Sequence, residues 1–595
     1  RLQTHTQFQV ILKPDPGDPQ EVYLGSLRAL GVDIDAHDIR FVEDNWASPA
    51  LGAWGLGWEV WLDGLEITQF TYFQQAGGQT LDPVSVEITY GVERIIMALQ
   101  GVRHFADIVY APGITYGEVF GQAEYEMSRY YLDEADIDTI RRAYADYAAE
   151  ARRMIEAGLP VPAHSYVLKC SHAFNILDSR GAVSTTERAT SFAQMRAMSR
   201  DVAARWRDRR AELGHPLGEY VPPAPAAPAV VPEGAAPTGP ATLLFEIGTE
   251  ELPAAEVTRT AEAVRAALTE RLGATRLAHG QVRVYGTPRR TVAVVEDVAP
   301  REPDVERVVR GPRVSAAYGP DGAPTKAAVG FARGQGVEVS DLTVVEHRGV
   351  EHVAVVRTDA GRPATEVLAQ VLGDVLTGLR AERNMRWRDP QLSFSRPIRW
   401  VVALLDQTVV PMAVSTLAAG RVTRGHRRAG QPEIEVPAAA GYPEFLAGHS
   451  IVIDPAARRQ LIIEEAAKLA AEHSGTIDTE AEADVLDEVT NLVEFPRPVL
   501  GSFEERYLEL PPEILTTVMR KHQRYLPVRD GEGRLLPYFV AVADGAVDVP
   551  LVRAGNEAVL RARFEDAAFF FEADVKVPLA TFRAGLSKLT FEQRL

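Results

Sequence analysis

The run Ser85-Val86-Glu87-Ile88-Thr89-Tyr90-Gly91-Val92-Glu93-Arg94 leads into the apolar stretch Ile95-Ile96-Met97-Ala98. A β-branched segment, a glycine and a Glu-Arg pair opening a helix-like pattern predict a strand-to-helix turn. Such a turn aims the Arg94 guanidinium outward, where it can lie flat on a purine or fork onto a phosphate. Upstream, Leu65-Glu66-Ile67-Thr68-Gln69-Phe70-Thr71-Tyr72-Phe73-Gln74-Gln75 alternates polar and apolar side chains, as a strand does when one face is a site. Trp54-Gly55-Leu56-Gly57-Trp58-Glu59-Val60-Trp61 lies one hairpin earlier.

The elements that must position these groups follow from periodicity. Residues 1 to about 108 predict strands, hairpins and one motif-bearing helix. From Tyr116 to about Leu213 the pattern is helical, with apolar residues at three- and four-residue spacing over Ile137–Ala157 and Thr186–Leu213. Residues 215–241 are rich in Pro, Ala and Gly and predict an extended, semi-rigid linker. Beyond it an amphipathic helix is expected over Ala261–Leu272 and strands over Val282–Val295. Helices are expected over Ile451–His473, Glu482–Val493 and Val559–Asp574. Leu392–Val414 reads as strand, and residues 300–370 as Gly- and Pro-punctuated α+β.

Composition narrows the class. With 595 residues, 46% hydrophobic and 24% charged, the chain has the make-up of an ordinary globular protein of several domains. No apolar run is long enough to span a bilayer, so no membrane role is expected. The net charge of −19 argues against indiscriminate nucleic-acid binding and so against DNA as a partner, while leaving room for a local basic track. Cys170 is the single cysteine, which cannot form an intramolecular disulfide and reads as a small buried residue. A reducing setting fits, cytoplasmic in the first instance and organellar as the alternative.

The ordered blocks carry a specific resemblance. Glu87 to Arg94 resembles motif 3 of a class II aminoacyl-tRNA synthetase. The stretch from Arg1 to about Gly214 resembles the α subunit of the bacterial heterotetrameric glycyl-tRNA synthetase, through Phe41-Val42-Glu43-Asp44-Asn45-Trp46, Trp54–Trp61, Thr68–Gln75 and Glu87–Arg94 in that order. Leu243-Leu244-Phe245-Glu246-Ile247-Gly248-Thr249-Glu250-Glu251-Leu252-Pro253 resembles the opening of the β subunit of the same enzyme. The resemblance implies an α+β multidomain fold. A class II antiparallel-sheet core would occupy 1–108, lacking motif 1 and the first half of motif 2, with a helical domain over 109–214 and the linker over 215–241. A body/tail-like region would follow over 242–375, a B3/B4-like region over 376–510 and the start of a further helical region over 511–595. On this reading the chain is a fragment at both ends.

The implied reaction is a glycine–tRNA ligation with ATP and Mg2+. Carboxylate attack on the α-phosphate of ATP depends on positioning and charge stabilisation by cations and carboxylates. Arg94 would lie against adenine or the γ-phosphate. Glu66 and Glu59, on adjacent strands, are the carboxylates expected at Mg2+ or ribose, with Glu66 the one assigned to the metal. Glu87 would hold the glycine α-amino group, with Gln69 and Thr71 adding hydrogen bonds. Trp54 and Trp58 would wall the pocket against larger amino acids, while Trp61 reads as core. Arg1–Val10 resembles the second strand of motif 2, which puts Gln7 and Gln9 on one face toward ATP or glycine. Where the family pattern carries aromatic residues this chain has His5 and Thr6, so His5 is expected to replace the adenine-stacking ring.

Basic clusters in the β-like part are expected to supply a tRNA track, since Arg contacts phosphates and neighbouring aromatics can stack on unpaired bases. The residues proposed are Arg289, Arg290, Arg310, Arg313, Arg386, Arg388, Arg424 and Arg427, and Arg396, Arg428 and Arg520–Arg524 lie in related clusters. Partners are therefore tRNA(Gly), glycine and ATP, and the assembly a homodimer equivalent to α2β2. Two other readings stay open from sequence: a synthetase-like tRNA-binding or regulatory protein without catalysis, and a class II synthetase specific for alanine.

Overall fold

The computed structural model describes residues 2–228, 237–427 and 432–586. Arg1 of the motif-2-like run, residues 229–236 of the linker, Arg428 and residues 587–595 lie outside the described residues.

The first unit is a six-stranded sheet built from β1 (Gln7–Leu12), β2 (Ile39–Asp44), β3 (Ala47–Ser48), β4 (Ala53–Leu62), β5 (Leu65–Ala76) and β6 (Gln79–Gly91). Its order is β1-β6-β5-β4-β2, with β3 paired to β4, and every pairing is antiparallel. Two-residue turns close its long hairpins. Asp63-Gly64 joins β4 to β5 and Gly77-Gly78 joins β5 to β6, all four residues with positive φ, the conformation that matches the twist of paired strands. Two helices accompany the sheet where one was expected. Helix α1 (Pro19–Leu30) starts with proline in its first turn and stops at the left-handed Gly31, and helix α2 (Val92–Gln100) carries Arg94.

Alternation sorts the sheet into two faces. One face buries Phe41, Leu56, Trp58, Val60, Phe70, Tyr72, Val86 and Ile88, against which α1 presses Tyr23, Leu24 and Leu27. Tyr23, Phe41, Trp58 and Phe70 meet mainly edge to face at 5.6–6.3 Å, the arrangement ring quadrupoles favour. The other face carries the polar set described below.

Helices Ile137–Glu156, Pro160–Ser179 and Thr185–Glu212 pack around Ala151, Val167, Cys170, Phe174 and Met198. Ser184 and Glu187 cap the last of these reciprocally. Burial pushes the Cys170 thiol up to about 11, so it is a core residue and not a nucleophile.

Beyond the linker, strands 282–287, 290–298, 241–249, 398–405, 417–420 and 413–414 form one sheet in that order. The boundary expected at 375 therefore runs through a single sheet. The same holds at 510, where strand 496–502 pairs with 535–544 and 526–529 pairs with the latter; these two strands stand where helix was expected. A smaller sheet, 305–313, 350–359 and 343–347, carries helix Lys326–Gln335. Among the described residues no helix is long and apolar enough to cross a membrane.

The two family-like regions share a core. Residues 23–95 and 241–419 contribute to one continuous apolar cluster. Buried polar contacts fasten the seam: Trp58 Nε1 donates to Glu251 O at 3.0 Å, and Arg396 Nη2 donates to Gly57 O at 2.9 Å.

Candidate active site

The polar face of the first sheet is assembled by register. Gln9 lies opposite Thr89 and Gln7 opposite Gly91 across β1 and β6. Thr89 then faces Gln69, and Glu87 faces Thr71, across β5. Next along, Thr71 faces Gly57 and Gln69 faces Glu59 across β4. The row Glu87–Thr71–Gly57 thus crosses three strands on one face, with Gln69–Glu59 as its neighbour.

Hydrogen bonds orient this row. Glu87 Oε1 accepts from Thr89 Oγ1 at 2.9 Å and from Gln9 Nε2 at 3.2 Å. Burial raises the Glu87 pKa and the Thr89 bond opposes the shift. Gln69 Nε2 donates to Asp44 Oδ2 at 2.7 Å, which brings in a carboxylate that sequence reasoning left without a role. Asp44 stands in the block Phe41–Trp46, and the β2 sequence, with buried Val42 two residues before it, gives no alternation that would mark it. Thr71 is fully buried, and its hydroxyl has no hydrogen-bond partner. A buried hydroxyl left unpaired costs free energy, and this one lies directly across the β5–β6 pairing from Glu87.

Arg94 leaves the first turn of α2 and donates from Nη1 to Glu66 Oε2 at 2.7 Å and to Glu66 O at 2.8 Å. Both side chains are substantially open, 46% and 34% exposed, so the pair is weak enough for a phosphate or purine to displace it. Its neighbour Glu93 is buried. Glu93 Oε1 accepts from Thr6 N at 2.6 Å and from the Tyr116 hydroxyl at 2.8 Å. These bonds hold its pKa down against desolvation and tie β1 to α2. The Glu-Arg pair therefore divides into an anchor, Glu93, and an exposed cation, Arg94.

Glu59 accepts from Trp61 Nε1 at 2.8 Å. Burial raises its pKa, with repulsion from Glu66 and Asp44 adding to the shift, so three carboxylates share this end of the face. Among the described residues no group of three or more His, Cys, Asp or Glu is arranged to hold a metal by itself. Glu66 engages Arg94 through one oxygen only, leaving a second for an ion that arrives on phosphates, since Mg2+ uses one or two carboxylates beside nucleotide oxygens. His5 is exposed two residues before β1, its Nε2 3.1 Å from the Gln7 amide nitrogen.

Some expected roles fail on burial. Trp58 is fully buried in the aromatic core on the opposite face, so it cannot wall an open pocket. Trp54 is 38% exposed and lies opposite Gln75, three residues along β4 from Gly57. Arg289, Arg290 and Arg427 are not a nucleic-acid surface. Arg290 is fully buried, with Nε 2.8 Å from Glu494 Oε1 and Nη1 3.1 Å from Thr423 Oγ1. Arg289 is buried 3.6 Å from Glu251. Arg427 donates to Glu251, Glu21 and Gln20 at 2.6–3.1 Å, tying the two regions together. These guanidiniums neutralise the buried carboxylates of the Glu246–Glu251 block, the pairing that a buried charge requires. Arg310, Arg313 and Arg388 are exposed. Arg386 and Arg424 are half-buried, Arg386 donating to Leu81 O at 2.8 Å and Arg424 to Asp18 at 3.0 Å.

A family profile described as glycyl-tRNA synthetase alpha subunit matches residues 1–211, and one described as glycyl-tRNA synthetase beta subunit matches residues 243–595. A glycine–tRNA ligase, chloroplastic/mitochondrial 2, of Arabidopsis thaliana is 48% identical over 600 residues, covering 100% of this chain and 56% of the relative. A glycine–tRNA ligase of Chlamydia pneumoniae is 36% identical over 607 residues, covering 100% of this chain and 60% of its own. A glycine–tRNA ligase beta subunit of Desulfitobacterium hafniense (strain Y51) is 42% identical over 353 residues, 59% of this chain and 51% of its own. The chain thus spans 56% to 60% of the two full-chain relatives.

Proposed function

Because the chain belongs to the glycyl-tRNA synthetase family, with α- and β-subunit regions in one polypeptide, we propose that its protein activates glycine with ATP and transfers it to tRNA(Gly). The observation that carries this reading is the row Glu87–Thr71–Gly57. It offers a carboxylate for an ammonium beside a close approach of β4 and β5, where Gly57 leaves room for the Phe70 backbone, on one face of the sheet that also bears Gln69 and Gln9. That set suits a small substrate with a charged amino group.

In the first step a glycine carboxylate oxygen bonds to the α-phosphorus of ATP, and the bond to the β-phosphate oxygen breaks to release pyrophosphate. Glu87 would hold the α-ammonium group, with Thr71 and Gln69 orienting the carboxylate. Arg94 would exchange Glu66 for the nucleotide, adding positive charge where negative charge accumulates. Glu66 and Glu59 would hold Mg2+, which when bound neutralises phosphate charge. In the second step a terminal ribose hydroxyl of tRNA attacks the adenylate carbonyl and AMP leaves.

The six-stranded antiparallel sheet is read as a class II core and the assembly as a homodimer equivalent to α2β2. Exposed Arg310, Arg313 and Arg388, with the half-buried Arg386 and Arg424, are the remaining tRNA candidates. A reducing compartment, cytoplasmic or organellar, is proposed as its setting.

The test is glycine-dependent exchange of pyrophosphate into ATP by the full-length protein and by this segment, without tRNA. Exchange with glycine and not alanine supports the reading, and loss of exchange in the segment would place part of the site outside it. A folded full-length protein without exchange would instead favour a non-catalytic tRNA-binding role.

A further inference from the structure

Arg524 belongs to the β-like region yet touches the polar face of the first sheet. Its guanidinium carbon lies 5.1 Å from the centre of the Trp61 ring, and its Nε donates to Glu488 Oε1 at 2.6 Å. A guanidinium over an indole is the strongest common cation–π geometry, and it fixes the plane of the ring.

Trp61 is the residue through which such a contact matters. Its Nε1 donates to Glu59 Oε2 at 2.8 Å, and across the β4–β5 pairing it lies directly opposite Glu66. One residue is therefore bonded to Glu59 and paired in register with Glu66, the two carboxylates read above as metal and nucleotide ligands.

The backbone points the same way. Arg524 closes the turn Val518–Gln523 with φ 59° and ψ 38°, the left-handed conformation in which glycine is the default residue. A long side chain there carries a conformational cost that glycine would avoid, so the turn alone does not call for arginine.

We infer that Arg524 is a positioning residue for amino-acid activation, holding Trp61 so that Glu59 and Glu66 stay aimed at the nucleotide. The inference rests on the activation chemistry proposed above. The β-like region thus contributes to adenylate formation as well as to tRNA contact.

Arg524→Gly separates this role from a structural one, because it removes the guanidinium while suiting the backbone. In the full-length protein, Arg524→Gly should shift Tm little, because relief of the left-handed backbone offsets the lost Glu488 and Trp61 contacts. It should also raise KM for ATP about tenfold, the size of a partly desolvated cation–π contact, with KM for glycine changed less than about twofold. Arg524→Lys, which keeps a cation over the ring, should recover most of that loss. Trp61→Phe, which keeps the ring and deletes the N–H, should reproduce the Arg524→Gly effect. Independently of turnover, hydrogen exchange read by mass spectrometry should quicken in the 53–62 peptide of Arg524→Gly. Unchanged KM for ATP together with unchanged exchange in that peptide overturns the inference. So does a fall in kcat that merely follows a fall in Tm. Absence of glycine-dependent pyrophosphate exchange in the wild type would sink the proposed activity instead, and the hydrogen-exchange comparison would still decide whether Arg524 holds β4.

Discussion

The Tyr72 hydroxyl donates to Glu250 at 3.0 and 2.9 Å to its two carboxylate oxygens, joining the first sheet to the opening strand of the β-like region. Arg399 completes the arrangement, its Nε donating to Glu250 Oε1 at 2.7 Å. All three groups are buried, so each depends on the others for the partners that water would otherwise supply. Tyr72→Phe should cost about 1.5–3 kcal/mol, the range for a hydrogen bond to a charged group. Glu250→Ala should cost about 3–5 kcal/mol, because it removes the main partner of the buried Arg399 charge and leaves Asp15, 3.9 Å away, as the remaining carboxylate. Denaturant unfolding of each variant checks the order, and equal stabilities would show that the seam is held by apolar packing alone.

Glu87→Gln keeps the shape of the side chain and its bonds to Gln9 and Thr89 while removing the charge proposed to meet the glycine ammonium. KM for glycine should rise about 10- to 100-fold, the cost of a charge-assisted contact, with KM for ATP nearly unchanged. Steady-state pyrophosphate exchange on the full-length protein measures both. An unchanged glycine KM removes Glu87 from the pocket.

His426 supplies a pH dependence of known sign. It is buried with Nε2 3.1 Å from Asp544 Oδ1. Burial works against its charge, but Asp544, helped by Glu494, outweighs that and raises the imidazole pKa above its ordinary value. Burial likewise opposes the Asp544 charge, yet His426 and the Phe495 amide hold that carboxylate down at about 2. A raised histidine contributes stability that is complete below its unfolded pKa of about 6.5 and is lost as pH rises through the native value. The depressed aspartate contributes above about pH 3.9 and loses its share only as pH falls toward its native value. The Tm advantage of wild type over His426→Gln should therefore be greatest near about pH 6 and shrink toward about pH 9. An advantage independent of pH would mean that the imidazole is not charged in the fold.

Legibility in the sequence divides along physical lines. Alternation over Leu65–Gln75 suffices to put Gln69 and Thr71 on one face, because a strand's period of two is a local property. The same reasoning pairs Gln7 with Gln9. Helix α1 escapes because Gly25 and Ser26 interrupt the apolar set Tyr23, Leu24 and Leu27, which leaves a weak helical signal. The faces of the aromatics are harder still: Trp54 and Trp58 are four residues apart on one strand, yet only Trp58 is buried. The register shifts opposite Trp54–Gly55, where Gln74 is the extra residue on β5, and such irregularities have no reliable sequence signature here. Arginine burial is the least legible property. Nothing near Arg290 announces Glu494, its partner 204 residues away, so a cluster read as surface is the interior of an ion-pair network.

That division sharpens the nucleic-acid prediction. Arg310 and Arg313 are exposed on the strand 305–313 of the small three-stranded sheet, whereas Arg289 and Arg290 are sequestered. Phosphate contacts require accessible cations and reveal themselves through counterion release. Arg310→Ala with Arg313→Ala should weaken tRNA binding roughly uniformly across sequences and lower the slope of log K against log salt by about 1 for each phosphate no longer neutralised. The fold should be untouched, since neither side chain is buried. Arg290→Ala should do the reverse, destabilising the protein by about 3–5 kcal/mol by leaving Glu494 without its main partner, with no specific change in the salt slope. Filter binding across a salt series, paired with melting curves, distinguishes the two groups. An unaltered slope in the Arg310/Arg313 double variant would move the tRNA track off this sheet and toward Arg386 and Arg388.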